Sequence, residues 1–303
     1  MINIVIPCLN ENENIEPLFL EIDNVFNKIT HEFQIIYVDD GSTDSTWNEI
    51  VRLRENNNNV KGIKLSRNFG HQAAISAGIS ESDADATIIM DCDFQDDPKY
   101  IDDLIRKWEE GFDVVLAKRI GREEGLFRRI IFGTFFKLQK YFSDIDIPEN
   151  VGHFSLLNRE SIKNINNLEE NSTYMNGVRA YIGFKVGYVD VVKKKRKFGD
   201  TKMSYRSLVR LGLQGIFEFS SKPLTLIALV GILVSFGSIL VSIYSLIHKV
   251  RFGTTILGWD FGLSSIYFLS GIQLLSLSII GKYVGNIFSE VKKRPNFIID
   301  KKI

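Results

Sequence analysis

Cysteine is scarce in this chain, with only Cys8 and Cys92 among 303 residues. Two thiols make no disulfide scaffold, and no further cysteine exists to complete a soft-metal site. In a reducing cytoplasmic domain both are expected to stay free and to act as small packing residues. Net charge is also missing, because 37 basic side chains balance 37 acidic ones, which gives no hint of nucleic acid as a partner. No internal repeat and no signal-peptide pattern before the first apolar run are visible.

Charge is absent altogether from Pro223 to Ile247 and from Phe261 to Gly281. Each stretch reaches the roughly 20 residues needed to cross a bilayer core. The competing explanation is a pair of buried helices in a soluble protein. The cations are segregated around these stretches. Lys193 to Lys197 reads KKKRK and Lys292 to Arg294 reads KKR. Both runs suit an anionic membrane face, or else belong to solvated loops. Lys249 and Arg251 sit in the short connection, but Arg206, Arg210, Lys222 and the two basic runs lie outside it. The positive-inside rule then puts both chain ends in the cytoplasm.

The preceding 200 residues alternate strand and helix patterns. Strands are expected near 2–7, 33–38, 60–65, 86–91 and 112–118, with helices near 13–28, 44–55, 70–80 and 98–110. Gly41 permits a tight turn, and Ser42, Thr43 and Asp44 can cap the second of those helices. A longer amphipathic helix is expected over Leu126 to Phe142, then strands near His153 to Leu157 and Lys185 to Val191. Alternation of this kind predicts an α/β nucleotide-binding core whose ligand lies beyond the carboxyl ends of parallel strands. Three such ends are polar, namely Cys8 to Glu11, Asp39 to Ser42, and Asp91 to Asp96. On an extended chain Asp91, Asp93 and Gln95 point one way and offer oxygen ligands for Mg²⁺ or Mn²⁺. A solvated acidic turn capping a helix reads equally well from the pattern alone. Ser204 to Phe219 has one apolar side and a side with Arg206 and Arg210, which fits either an interfacial helix or a core helix.

In order, IPCLNEN, VDDGSTD, LSRNFGHQAAISAG and IMDCDFQDDP resemble the signatures of family 2 glycosyltransferases. The resemblance is nearest to bacterial polyprenyl-phosphate (undecaprenyl, bactoprenol) glycosyltransferases, relatives of dolichyl-phosphate mannose synthase. It continues through YFSDIDIPE, GDTKMSYRSLVRLGLQGI and GIQLLSLSIIGKYVGNIFSEVKKRP. It implies a GT-A, Rossmann-like catalytic domain over 1–200, an interfacial helix and acceptor loop over 201–222, a transmembrane hairpin over 223–288 and a cytoplasmic tail over 289–303.

The resemblance also assigns roles. Pro7, Glu11, Asp39 and Asp91 match donor-nucleotide positions, with Asp40 either joining them or capping the following helix. Asp91, Asp93 and Gln95 match the metal and diphosphate motif. Arg119, Arg129, Lys202 and Arg206 match acceptor-phosphate positions, and Asp91, Asp93 and Arg119 carry the chemistry. Arg67 reads as a backbone tether or a phosphate ligand. A lipid phosphate is already anionic, so it needs cations and no strong base. The expected reaction is an inverting, metal-dependent transfer of a hexose, glucose first, from a UDP- or GDP-sugar to polyprenyl phosphate in the cell membrane, serving cell-envelope glycans. Transfer to a sugar hydroxyl, direct or processive, and a non-catalytic membrane scaffold remain alternatives. The chain departs from the family at His153 and Ser155, where many relatives carry Asp and Arg, and at Lys282, where relatives often carry an acid.

Overall fold

The computed structural model describes residues 1–120, 148, 150–168, 175–192, 220–252 and 259–303. The expected helix over Leu126 to Phe142, the basic run from Lys193 to Lys197, the amphipathic segment from Ser204 to Phe219, and the site candidates Arg129, Lys202 and Arg206 lie outside these residues.

Four parallel strands make the heart of the sheet: β1 (Ile2–Cys8), β2 (Phe33–Asp39), β3 (Val60–Leu65) and β4 (Ala86–Ile89). Between them run α1 (Ile15–Phe26), α2 (Thr46–Asn56) and α3 (His71–Ser80). After β4 come α4 (Ile101–Glu109), β5 (Val114–Arg119), β6 (Val151–Asn158), α5 (Arg159–Asn167), α6 (Met175–Tyr181) and β7 (Val186–Val191). The full order is β7-β5-β6-β4-β1-β2-β3-β8, where β8 is the late strand Ile299–Lys302, and β6 is antiparallel to both its neighbours. The sheet is therefore mixed, where alternation alone predicted it parallel. From β1 the chain moves outward through β2 and β3, then returns to lay β4 on the other side of β1. That reversal opens a crevice at the carboxyl ends of β1, β2 and β4.

Apolar strands account for the core. All of β1 is buried, and Ile2, Ile4 and Ile6 pack against Ile15, Leu18 and Ile22 of α1. On the opposite face Val5, Ile36, Val38 and Ile63 meet Ala74 and Ala77 of α3. Cys8 and Cys92 are free and buried, as expected, and burial pushes the Cys8 thiol well up, with Cys92 adding to the effect.

Two long helices follow, α7 (Lys222–Phe252) and α8 (Trp259–Val291). Both are long and apolar enough to cross a membrane, and neither is buried in the protein. Tyr283 of α8 donates to the carbonyl of Ser220, just before α7, at 2.7 Å. The chain beyond α8 forms a strand that the sequence did not lead us to expect. β8 (Ile299–Lys302) pairs antiparallel with β3 at the edge of the sheet, and Ile303 and Gly62 exchange both backbone hydrogen bonds. Phe297 and Ile299 pack on the α3 face of the core, and Lys302 reaches Glu81 at 2.7 Å. Gly62 is needed there, because a Cβ would approach the Ile303 side chain to 2.8 Å. Phe297→Ala is expected to cost about 1–3 kcal/mol, the lower part of the range for apolar truncations because the ring is only partly buried. Thermal denaturation of the detergent-solubilised chain measures this, and an unchanged Tm would mean that the Phe297 ring adds nothing to the core.

Candidate active site

The loops that follow β1 and β2 are laced together. Cys8 stands opposite Asp39 in the ladder. Asn10, at φ 53°, accepts the Thr43 N–H at 2.9 Å and donates its own N–H to Ser42 Oγ at 2.9 Å. Of the three candidate caps on α2, only Asp44 turns to that helix, taking the Thr46 N–H at 3.0 Å. Glu11 donates its N–H to Thr46 Oγ1, and its carboxylate accepts from Asn14 at 2.6 Å. Pro7 belongs to the β4 side of β1, where the ladder has already ended, so its missing N–H removes no bond. Asp39 is fully buried. Its Oδ1 accepts the Ser42 N–H at 2.9 Å, and its Oδ2 has no partner among the described residues.

Asp40 neither caps α2 nor lies open. Its two oxygens take the N–H groups of Phe69 at 2.7 Å and Gly70 at 3.0 Å, at the start of α3. Burial raises its carboxyl above the usual range, and these two bonds oppose the rise. Gly41, at φ +70°, lets the incoming loop lie flat, since a Cβ there would come within 2.6 Å of the Asn68 nitrogen. Arg67 follows the tether reading, donating to the Asn68 carbonyl at 2.9 Å and covering the Phe69 ring at 3.9 Å.

β4 ends at Ile89, earlier than the sequence implied, and Asp91 to Gln95 form a turn with Phe94 at φ 59°. The alternating-strand argument for a one-sided ligand row therefore fails. What brings the acids together is the turn, in which Asp93 Oδ1 takes the Gln95 N–H at 3.0 Å. Asp93 is buried and Asp91 is partly so. The oxygen donors of Asp91, Asp93 and Gln95 fit a hard divalent cation by type. Among the described residues no three His, Cys, Asp or Glu side chains form a closed cluster. An open set of this kind suits an ion that shares its ligands with substrate phosphate and water.

Sequence reasoning assigned no role to His71, Gln72 or Arg179, yet all three meet at this site. His71 Nε2 lies 3.2 Å from Asp91 Oδ1, and the His71 and His153 rings stand 4.8 Å apart. Burial pulls the His71 imidazolium down, but Asp91, aided by Asp40 and Asp93, outweighs it and the net shift is upward. Gln72 Oε1 accepts the Met175 N–H at 3.3 Å, which turns its amide nitrogen toward His153 Nε2 at 3.1 Å. His153 therefore accepts at Nε2 and carries its proton on Nδ1. Buried Arg179 reaches β6 from α6. Its only sequence signal is an arginine inside the short apolar run Gly177 to Tyr181. Arg119 ends β5 half-buried, with its guanidinium against Gly152.

This fold and this acidic crevice belong to a glycosyltransferase. The model of glycosyl transferase family 2 matches residues 3–165, more than half of the chain, and the chain belongs to that family with a GT-A type α/β sheet. Some whole-length relatives are bactoprenol glucosyl transferases by name, and others are named only as glycosyltransferases. The chain is 37% identical over 302 residues to the SfII prophage-derived bactoprenol glucosyl transferase of Shigella flexneri, covering 99% of this chain and 97% of that one. It is 35% identical over 302 residues to the prophage bactoprenol glucosyl transferase homolog of Escherichia coli K12, covering 99% and 98%. Among solved structures, the glucosyl-3-phosphoglycerate synthase of Mycobacterium tuberculosis with Mn²⁺, UDP and phosphoglyceric acid is 16% identical, with a TM-score of 0.49 over 72% of this chain and 76% of that one.

Burial, reinforced by His71, pushes the His153 imidazole down to about 3. It is neutral near pH 7 and stays so well into acid. The unfolded chain takes up this proton near its ordinary value of about 6.5. The stability contributed by the neutral ring is thus complete above about pH 6.5 and is lost as pH falls toward about 3. His153→Asn should make Tm less sensitive to acid between about pH 7 and about pH 5. Equal acid sensitivity in both proteins would contradict a depressed His153.

Proposed function

We propose that this chain moves a hexose, in the first instance glucose, from a nucleoside diphosphate sugar to polyprenyl phosphate at the cytoplasmic membrane face, with inversion at the anomeric carbon. The observation that carries this reading is the state of Arg119. Its half-buried guanidinium makes no hydrogen bond or ion pair among the described residues, and it acts on the same imidazole, His153, as Asp91 does. A partly desolvated guanidinium with no partner among the described residues, beside a carboxylate-lined crevice, suits one anion arriving opposite another. The names of the relatives, which align through both apolar helices, supply the lipid and the sugar.

Glu11 and Asp39 hold the nucleoside, the unpartnered Asp39 Oδ2 accepting a hydroxyl or amine proton, and Pro7 shapes that wall. Asp91, Asp93 and Gln95 would hold Mg²⁺ or Mn²⁺, which when bound draws charge from the departing diphosphate. Arg119, with Arg129, Lys202 and Arg206, holds the lipid phosphate. A phosphate oxygen forms the new bond to the anomeric carbon as the bond to the nucleoside diphosphate breaks. No base is needed, and His153 is not free to be one, because Gln72 occupies its lone pair. Pairing of β8 with β3 keeps both flanks of the apolar hairpin with the catalytic domain, and the Lys292 to Arg294 run favours the cytoplasmic side. The lipid-linked sugar then serves cell-envelope glycan modification. The exposed faces of the two apolar helices suit equally a monomer in lipid and a joint between subunits.

The direct test supplies detergent-solubilised protein with polyprenyl phosphate, Mg²⁺ or Mn²⁺ and a panel of nucleotide sugars, and reads the lipid by mass spectrometry. One added hexose supports the proposal. Transfer only to a sugar hydroxyl, or nucleotide binding with no product, would replace it by the polysaccharide or the scaffold reading. Asp93→Ala should abolish turnover at saturating donor, and normal turnover would remove Asp93 from the metal set. Arg119→Ala should raise KM for lipid phosphate about tenfold or more while leaving donor KM unchanged, as expected for a lost charge-assisted contact. Equal weakening of donor and acceptor would take Arg119 out of the acceptor site.

A further inference from the structure

Resting on the acceptor role of Arg119, we infer that Arg179 is a positioning residue for that arginine and acts on it through Gly152. The two arginines come together where β5 and β6 fall out of register. Leu116 pairs with Ser155, but Lys118 pairs with Val151, so Gly152, His153 and Phe154 bulge from the ladder. A bulge of this kind leaves backbone groups without ladder partners and bends the strand. Arg179 takes them. Its Nη2 donates to the Gly152 carbonyl at 2.7 Å, and its Nη1 to the His153 carbonyl at 3.3 Å and to Ser155 Oγ at 2.6 Å. Ser155 in turn donates to the His153 carbonyl at 2.9 Å. Arg179 also bonds Asn176 on its own helix.

Arg179 is 2% exposed. Burying a guanidinium is unfavourable unless its donors are used, so its bonds to the bulge are a condition of the fold at this point. On the α-carbon side of Gly152 lies Arg119. A Cβ on residue 152 would clash with the Arg119 Nη2 and come within 2.9 Å of its Cζ. The Arg119 N–H donates to the Asn150 carbonyl at 2.9 Å, fixing its backbone to the turn that enters the bulge. One guanidinium therefore shapes the bulge, and the missing side chain of the bulge makes the seat for the other. A positive charge held in the protein behind the seat also favours an arriving phosphate over a neutral acceptor.

The test is a double-mutant cycle on the full-length, detergent-solubilised chain, with KM measured separately for polyprenyl phosphate and for the nucleotide sugar. Arg179→Met is expected to raise the lipid-phosphate KM about tenfold, leave the donor KM within about twofold, and add nothing further in the Arg119→Ala background. Gly152→Ala leaves Arg179 intact and should give the same acceptor-specific defect by pushing on Arg119 directly. It decides the matter if Arg179→Met does not fold. Multiplicative effects of Arg179→Met and Arg119→Ala would overturn the inference, as would parallel loss of donor and acceptor binding in Gly152→Ala. An Arg119→Ala protein with normal lipid-phosphate KM would instead overturn the acceptor reading itself, and the inference with it.

Discussion

Everything at the mouth of the crevice depends on one carboxylate, Asp40, gripping two consecutive backbone N–H groups at the start of α3. Hydrogen bonds to a charged acceptor contribute about 1.5–3 kcal/mol each, so the pair outweighs any surface contact in the region. The grip joins the exit of β2 to the entry of α3. It sets His71 against Asp91 and Gln72 against His153, and it works only because Gly41 leaves room for the chain to pass. Gln72 then extends the connection to α6 through the Met175 N–H.

Charge is partitioned around His153. Asp91 draws the ring toward protonation, while His71, Arg179 and Arg119 oppose it and burial opposes it most. The neutral imidazole marks the boundary between a side built of carboxylates and a side built of guanidiniums, and in the proposed reaction the first suits a cation with its diphosphate and the second suits another anion. A single-signed crevice could hold only one of the two reactants well. Bringing both to one place requires this division.

Much of this was legible in the residues. The strands from β1 to β3 read directly from apolar runs bounded by polar turns, and Pro7, Glu11, Asp39, Asp91 and Asp93 do gather at strand ends. The two apolar helices follow from their lack of charge. Three features were hidden, each for a physical reason. The Asp91 to Gln95 turn uses a left-handed phenylalanine, which no local propensity favours. The seat of Arg119 depends on a bulge, and a bulge is a property of pairing rather than of one strand. β8 is four residues with two lysines and an aspartate, and only the presence of an open β3 edge makes such a segment a strand. The role of Arg179 was equally hidden, because its target lies 24 residues away in β6.

That late strand has a consequence for the order of events during synthesis. β3 is made early and β8 only after both apolar helices have left the ribosome. Through that interval β3 offers a row of unpaired backbone groups, the arrangement most prone to unwanted pairing with other chains. Closure of that edge waits for the hairpin between them to be laid down. The nascent enzyme is thus most vulnerable to aggregation when its helices are delayed, and a defect in membrane delivery would first be felt as misfolding of the catalytic sheet.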